Sequence, residues 1–206
     1  MLKKEHEILK PFIEQPWQKL TFKQIETISK KKSTSYTFKT LKKFAKEGIL
    51  NEEKAGNVSL YSINFGSMKA LSCFGFIAEY IGFGKKHIPI KDLEKIASKI
   101  PTSFYILVVT GSYAKGEQKK GSDMDLVVVC DNSVKPDKVY AELRHDCEMN
   151  IPLMHLYVFT EGQFLKMLLD KNQNYGKEIS RNALIFSGGK EYMRIIGEAI
   201  RNGYNG

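Results

Sequence analysis

The chain has 206 residues, 42% of them hydrophobic, which suffices for one large core or two small ones and is too much for a disordered chain. The start, MLKKEHEILK, lacks an apolar h-region, and the longest apolar-leaning stretch, residues 68–83, carries Lys69 and Glu79, so neither a secretory signal nor a bilayer span is expected and no membrane partner is predicted. A net charge of +9 favours polyanionic partners, while three scattered cysteines (Cys73, Cys130, Cys147) without metal-ligand spacing predict buried thiols in a reducing, cytoplasmic setting rather than a disulfide framework.

The charge is uneven: residues 1–66 hold 13 lysines, 7 glutamates and no arginine. In this segment Ile8, Leu9, Phe12 and Ile13 share a helical face that ends near Pro16. A second helix opens with a capping box, Thr21 with Gln24 three residues on, and continues through Phe22, Ile25 and Ile28. A polar turn, residues 30–33, leads to a third helix over residues 34–46, with Phe38, Leu41 and Ala45 inward and Tyr36, Lys39, Thr40 and Lys43 outward. Gly48 stops it, and a hairpin follows over residues 49–54 and 58–64 around Ala55-Gly56-Asn57. Three helices and a hairpin in this order resemble the winged helix-turn-helix family over the first third of the chain. The resemblance implies DNA as a partner, with Tyr36, Lys39, Thr40 and Lys43 facing the groove and Lys54 near the wing. The lack of arginine points to phosphate contacts over base readout, and the same lysine-rich face also suits plain solvation or protein docking.

Two helices are expected in residues 67–100, one apolar (Leu71, Phe74, Ile77, Ala78, Ile81) and one amphipathic (Leu93, Ile96, Ala97, Ile100), as a connector without chemistry.

From residue 101 the pattern changes. Residues 104–110, FYILVVT, form a continuous apolar, β-branched run, as in a buried strand. It leads into Gly111-Ser112-Tyr113-Ala114-Lys115-Gly116, and Ser122-Asp123-Met124-Asp125-Leu126 opens a second apolar strand. Glycine lets backbone approach a ligand closely, the first amides of a helix favour phosphate, and Lys115 adds positive charge. Asp123 and Asp125 are two apart on a strand, so both carboxylates point to one face. Such a pair repels itself unless a cation binds it, and Mg²⁺ is commonly held by one or two carboxylates plus substrate phosphates.

The joint pattern resembles the DNA-polymerase-β-like nucleotidyltransferase superfamily, and within it the minimal nucleotidyltransferases: Gly111, Ser112, Ala114, Lys115 and Gly116, then Ser122, Asp123, Asp125 and Leu126, fill its motif. The resemblance covers about residues 100–200. It implies an α+β chain in which the N-terminal winged helix domain (1–66) and the helical connector (67–100) precede a nucleotidyltransferase domain (101–206) with a small mixed sheet flanked by helices. It implies a two-metal Mg²⁺ site on Asp123 and Asp125, a nucleoside triphosphate held by Gly111 and Ser112 with help from Lys115 and Ser122, and transfer of a nucleoside monophosphate to an acceptor hydroxyl. The acceptor would be a protein, an RNA end or a small molecule. Some minimal nucleotidyltransferases act as antitoxins on a helical toxin, so a protein acceptor of that kind is implied as well.

The family places a third carboxylate on a later strand, here residues 153–158, where this chain has His155. A neutral histidine accepts a proton near neutral pH but is a poor Mg²⁺ ligand, so His155 stands either as a substitute base or as an ordinary strand residue; Asp146 and Glu148 precede the strand. This substitution leaves a second reading open: a winged-helix DNA-binding regulator whose nucleotidyltransferase fold binds nucleotide without turnover. Residues 183–186 and the helical spacing of Tyr192, Ile195, Ile196, Ala199 and Ile200 predict a closing strand and helix.

Overall fold

The computed structural model describes residues 4–29 and 33–206, so residues 30–32 of the expected polar turn lie outside the described residues. The chain forms two compact units, residues 1–78 with 190–206, and residues 79–189. The expected limits at 66 and 100 divide the chain differently, and residues 190–206 fall in the first unit.

The first unit opens with a 3₁₀ helix, Lys4–Leu9, and a short α1, Pro11–Glu14, where one helix is expected from the apolar spacing. Pro11 lacks an N–H and fits the first position of a new helix, so the chain breaks there. A two-residue strand β1, Leu20–Thr21, precedes α2, Phe22–Ser29. The capping box forms as the sequence predicts: Thr21 Oγ1 accepts from Gln24 N at 3.2 Å, and Gln24 Oε1 accepts from Thr21 N at 2.8 Å. Next come α3, Thr34–Lys46, and the hairpin strands β2, Leu50–Ala55, and β3, Val58–Ile63. The antiparallel sheet has the order β1-β3-β2.

The face that α3 buries differs from the expected one. Thr37, Thr40, Leu41 and Phe44 are buried, whereas Phe38 is 48% exposed. Both stripes satisfy helical spacing, so periodicity alone does not choose between them. Phe44 is among the largest fully buried side chains, and Thr37 enters the interior with its hydroxyl satisfied by donating to Ser33 O at 3.1 Å. Phe38 instead meets Phe22 edge-on, with centroids 6.1 Å apart, and Lys42 Nζ lies 5.6 Å from its ring centre. Thr40 is thus a core residue, not an outward one. Tyr36, Lys39 and Lys43 are exposed, and so is Lys54 on β2. Lys43 is ion-paired to Glu5 at 2.7 Å.

Helix α4, Met68–Phe83, starts in the first unit, where Phe74 meets Phe12 edge-on at 6.2 Å. In the second unit α5 spans Ile90–Ala97, β4 Tyr105–Thr110, α6 Gly111–Lys115, β5 Met124–Cys130 and α7 Pro136–Glu148. They are followed by β6, Met154–Thr160, α8, Glu161–Leu169, α9, Tyr175–Arg181, and β7, Leu184–Ser187. The last helix, α10, Gly189–Arg201, leads back into the first unit, where Tyr204 stacks edge-on against Trp17 at 5.6 Å.

The second sheet is mixed, with the order β6-β5-β4-β7; β5 and β6 are parallel and the other pairs antiparallel. A parallel neighbour needs a crossover connection, and α7 supplies it. One face of the sheet buries Leu107, Val109, Met124, Leu126 and Val128 with Val139 and Leu143 of α7 and Leu93 and Ile96 of α5. The alternate residues Val108, Val127 and Val129 are buried as well, which is why β4 and β5 read as continuous apolar runs. The architecture is α+β. Among the described residues, no helix is long and apolar enough to cross a membrane.

Candidate active site

Strand β4 ends at Thr110 and passes into α6 with no intervening loop. Gly111 makes the corner with φ of +69°, a region that L side chains rarely adopt. A Cβ on Gly111 would lie 2.2 Å from Asp125 Oδ2, so only glycine lets this carboxylate sit against the backbone. Gly116, at φ +73°, closes α6 in the left-handed conformation.

Sheet register assembles the rest. Asp125 pairs across β5 and β4 with Thr110, and across β5 and β6 with His155. Asp123 precedes the strand by one residue. The imidazole of His155 lies near both acids: Nε2 is 3.5 Å from Asp123 Oδ2, and Nδ1 is 3.8 Å from Asp125 Oδ1. The position where the resemblance implies a third acid therefore puts its side chain near the carboxylate pair. Asp146 and Glu148 sit on α7 and end in ion pairs, to Lys99 at 2.7 Å and to Arg144 at 2.6 Å.

Burial pushes the Asp125 carboxyl above the usual carboxylate range; His155 opposes this, while Glu178 and Asp123 add to it. Glu178 and Tyr175, both on α9, are the residues that sequence reasoning misses. The Tyr175 ring lies 4.6 Å from that of Tyr157, two residues beyond His155 on β6. Burial and the nearby Asp125 drive the Tyr175 phenol strongly upward. The available signal was Asn174, whose side chain caps α9 by accepting from Lys177 N.

The remaining predicted residues are placed less uniformly. Ser112 lies half-buried on α6, and Lys115 is exposed at its last turn. The Ser122 hydroxyl accepts from Lys119 N at 2.8 Å and so closes the turn before Asp123. Tyr36, Lys39, Thr40, Lys43 and Lys54 belong to the first unit.

The donor set suits a hard divalent cation in part. Asp123 and Asp125 offer two carboxylates, and the Thr110 hydroxyl is buried with no hydrogen-bond partner among the described residues. Among those residues no group of three His, Cys, Asp or Glu side chains is drawn together as a metal cage. Such a half-site fits Mg²⁺, which takes its other ligands from phosphate oxygens and water.

Residues 90–187 match the family model of the nucleotidyltransferase domain. The matched span lies inside the second unit and includes Gly111, Asp123, Asp125 and His155. Over this span the chain is similar to that domain. No curated protein matches the chain. Among solved structures, the crystal structure of a toxin-antitoxin with AMP-PNP aligns at 12% identity with a TM-score of 0.40, covering 55% of this chain and 87% of that one.

Proposed function

We propose that the second unit is a nucleotidyltransferase that moves a nucleoside monophosphate from a nucleoside triphosphate to an acceptor hydroxyl. The observation that carries this reading is the register Thr110–Asp125–His155, which sets a carboxylate pair, the Gly111–Ser112 corner and an imidazole on one face of the sheet. Gly111 and Ser112 hold the triphosphate, with Lys115 beside it. Asp123 and Asp125 would hold Mg²⁺, which would supply charge stabilisation to the α-phosphate and the departing pyrophosphate. The acceptor oxygen attacks the α-phosphorus, the bond from α-phosphorus to the bridging oxygen breaks, and pyrophosphate leaves. His155 takes the acceptor proton. Its two nitrogens face the two carboxylates, so the imidazolium formed is stabilised where it forms.

The test is incorporation of label from an α-labelled nucleoside triphosphate into candidate acceptors, scored with pyrophosphate release, in wild type and His155→Ala. We expect transfer in the wild type and a loss of about 10²–10⁴-fold in the variant, the usual contribution of a general base. Undiminished transfer in His155→Ala removes the base assignment.

A second reading concerns the first unit. We propose that the first unit contains a winged helix that contacts duplex DNA through Tyr36 and Lys39 of α3 and Lys54 of the hairpin. Its support is the element order with β1 closing the hairpin into the sheet β1-β3-β2. On this reading the second unit binds nucleotide and modulates DNA affinity. Lys39→Glu is expected to weaken duplex binding and to lower its salt dependence by about one phosphate contact. An unchanged titration counts against the reading.

A further inference from the structure

Strand β6 ends the sheet order β6-β5-β4-β7, so its outer edge has no strand beside it. The main-chain groups of β6 divide between the two sides. Leu153 O accepts from Met124 N, and residues alternate along a parallel ladder, so His155, Tyr157 and Phe159 turn their N–H and C=O toward β5. The Cys130 thiol, which donates to Phe159 O, agrees with that direction. Leu156 and Val158 therefore point their N–H and C=O outward, and among the described residues these groups have no hydrogen-bond partner. An edge of this kind is a template for another strand.

The other edges are protected. β2, at the edge of the first sheet, carries Glu52, Glu53 and Lys54. β7, at the far edge of the second sheet, is covered by the end of α4: a Cβ on Gly82 would stand 2.5 Å from Ile185 O, and Phe83 meets Phe186 edge-on. β6 has neither device, because its sequence, MHLYVFT, holds no lysine, arginine, acid or proline. Exposed apolar side chains continue the edge toward its start, with Ile151 92% and Met149 71% accessible and Leu153 and Tyr140 also open. An apolar patch beside an unguarded strand edge marks a surface that another chain covers.

We propose that the cover is a second copy of this chain, with β6 pairing antiparallel to β6 of the copy about a two-fold axis at Tyr157. Main-chain geometry and charge select this occupant. In this register Leu156 of each copy exchanges N–H and C=O bonds with Val158 of the other, so the outward groups satisfy one another. The side-chain pairs are Tyr157 with Tyr157, Leu156 with Val158 and His155 with Phe159, aromatic and aliphatic neighbours with no like charges opposed. A groove of about 270 Å³ runs between β6 and α7, and on its wall Arg144 and Glu148 form an exposed ion pair at 2.6 Å. A two-fold contact sets a patch against itself, and a patch with one cation and one anion is complementary to itself. The two sheets become one, and the second copy's Phe159 stands opposite His155, on the face that also carries Asp125. The contact does not depend on the chemistry assigned to that site.

The experiment is sedimentation velocity of the full chain from about 1 to about 100 μM, joined to amide hydrogen exchange at both ends of that range. The mass of two chains is expected in the upper range, with exchange at Leu156 and Val158 slowed there by at least ~10-fold. Leu156→Pro removes an outward N–H and leaves the ladder to β5 intact, so it should weaken association by at least ~10-fold. Arg144→Glu sets like charges across the axis and should weaken association by about 5-fold or more, and the exchanged pair R144E/E148R should restore it. Circular dichroism checks that each variant is folded; should Leu156→Pro fail to fold, the charge series decides. A monomer at every concentration, or a dimer whose Leu156 and Val158 amides exchange as fast as in the monomer, overturns the inference. So does wild-type association in a folded Leu156→Pro variant, or a charge series that leaves association unchanged.

Discussion

Asp125→Asn is expected to abolish the thermal shift that Mg²⁺ with a nucleoside triphosphate gives the wild-type protein, and to raise the melting temperature of the ligand-free protein at neutral pH. The first effect follows from linkage. A ligand that binds the native state alone stabilises it by about 2.7 kcal/mol at a hundredfold excess over Kd, and Asp125 is the more buried of the two carboxylates proposed to hold the cation. The second follows from the raised carboxyl of Asp125. A group whose folded pKa lies above its unfolded value contributes stability at pH below the ordinary carboxylate range and loses it as pH rises through the folded value. At neutral pH the ligand-free protein therefore holds an ionised carboxylate at a cost, with Asp123 and Glu178 adding to it. The amide removes that cost. Melting curves of wild type and variant should converge in acid and separate toward neutrality, with the variant higher. A retained nucleotide shift, or a variant less stable at neutral pH, refutes the placement of Asp125 at the centre of the site.

Gly111→Ala should disrupt both the fold and the site, at a cost of about 2–4 kcal/mol. Forcing an L residue into the left-handed region costs about 1–2 kcal/mol, and the added methyl would stand 2.2 Å from Asp125 Oδ2, so the carboxylate must move. Gly116→Ala is the control. It has a similar φ of +73°, but the nearest atom beyond its neighbours is His87 Cε1 at 3.8 Å. That variant should lose about 1–2 kcal/mol from backbone strain alone and keep its nucleotide shift. Urea denaturation of the pair separates the two contributions. Equal losses would show that the approach of Asp125 to Gly111 is incidental.

What the sequence shows of this arrangement depends on how local the cause is. The strands β4 and β5 are legible because buried strands in a mixed sheet need apolar residues on both faces, and the residues at 105–110 and 126–130 supply them. The corner and the carboxylate pair are legible because their chemistry is fixed by residue type at short spacing. His155 is legible as a position, since the sheet brings it opposite Asp125, but its nearness to both acids is a matter of side-chain geometry. The buried face of α3 is not legible, because two helical stripes one step apart are both half apolar and only packing against the rest of the unit selects Phe44 over Phe38. Tyr175 and Glu178 are not legible either. They reach the site from α9, some fifty residues beyond Asp125, and nothing in their local pattern names the carboxylate they face.

The return of residues 190–206 to the first unit bears on the order in which the chain can fold. Residues 79–189 are continuous, so the second unit is complete as soon as its last strand has left the ribosome. The first unit is discontinuous. Its opening helices and hairpin are synthesised early, yet Trp17 waits for Tyr204 and Phe65 waits for Gly197, whose missing side chain leaves room for the ring. During synthesis the lysine-rich N-terminal segment thus spends the translation of more than a hundred residues with part of its apolar surface uncovered, while the second unit becomes whole. A nascent chain halted after β7 would carry a finished second sheet and an unfinished first unit, the reverse of the order in which the two begin.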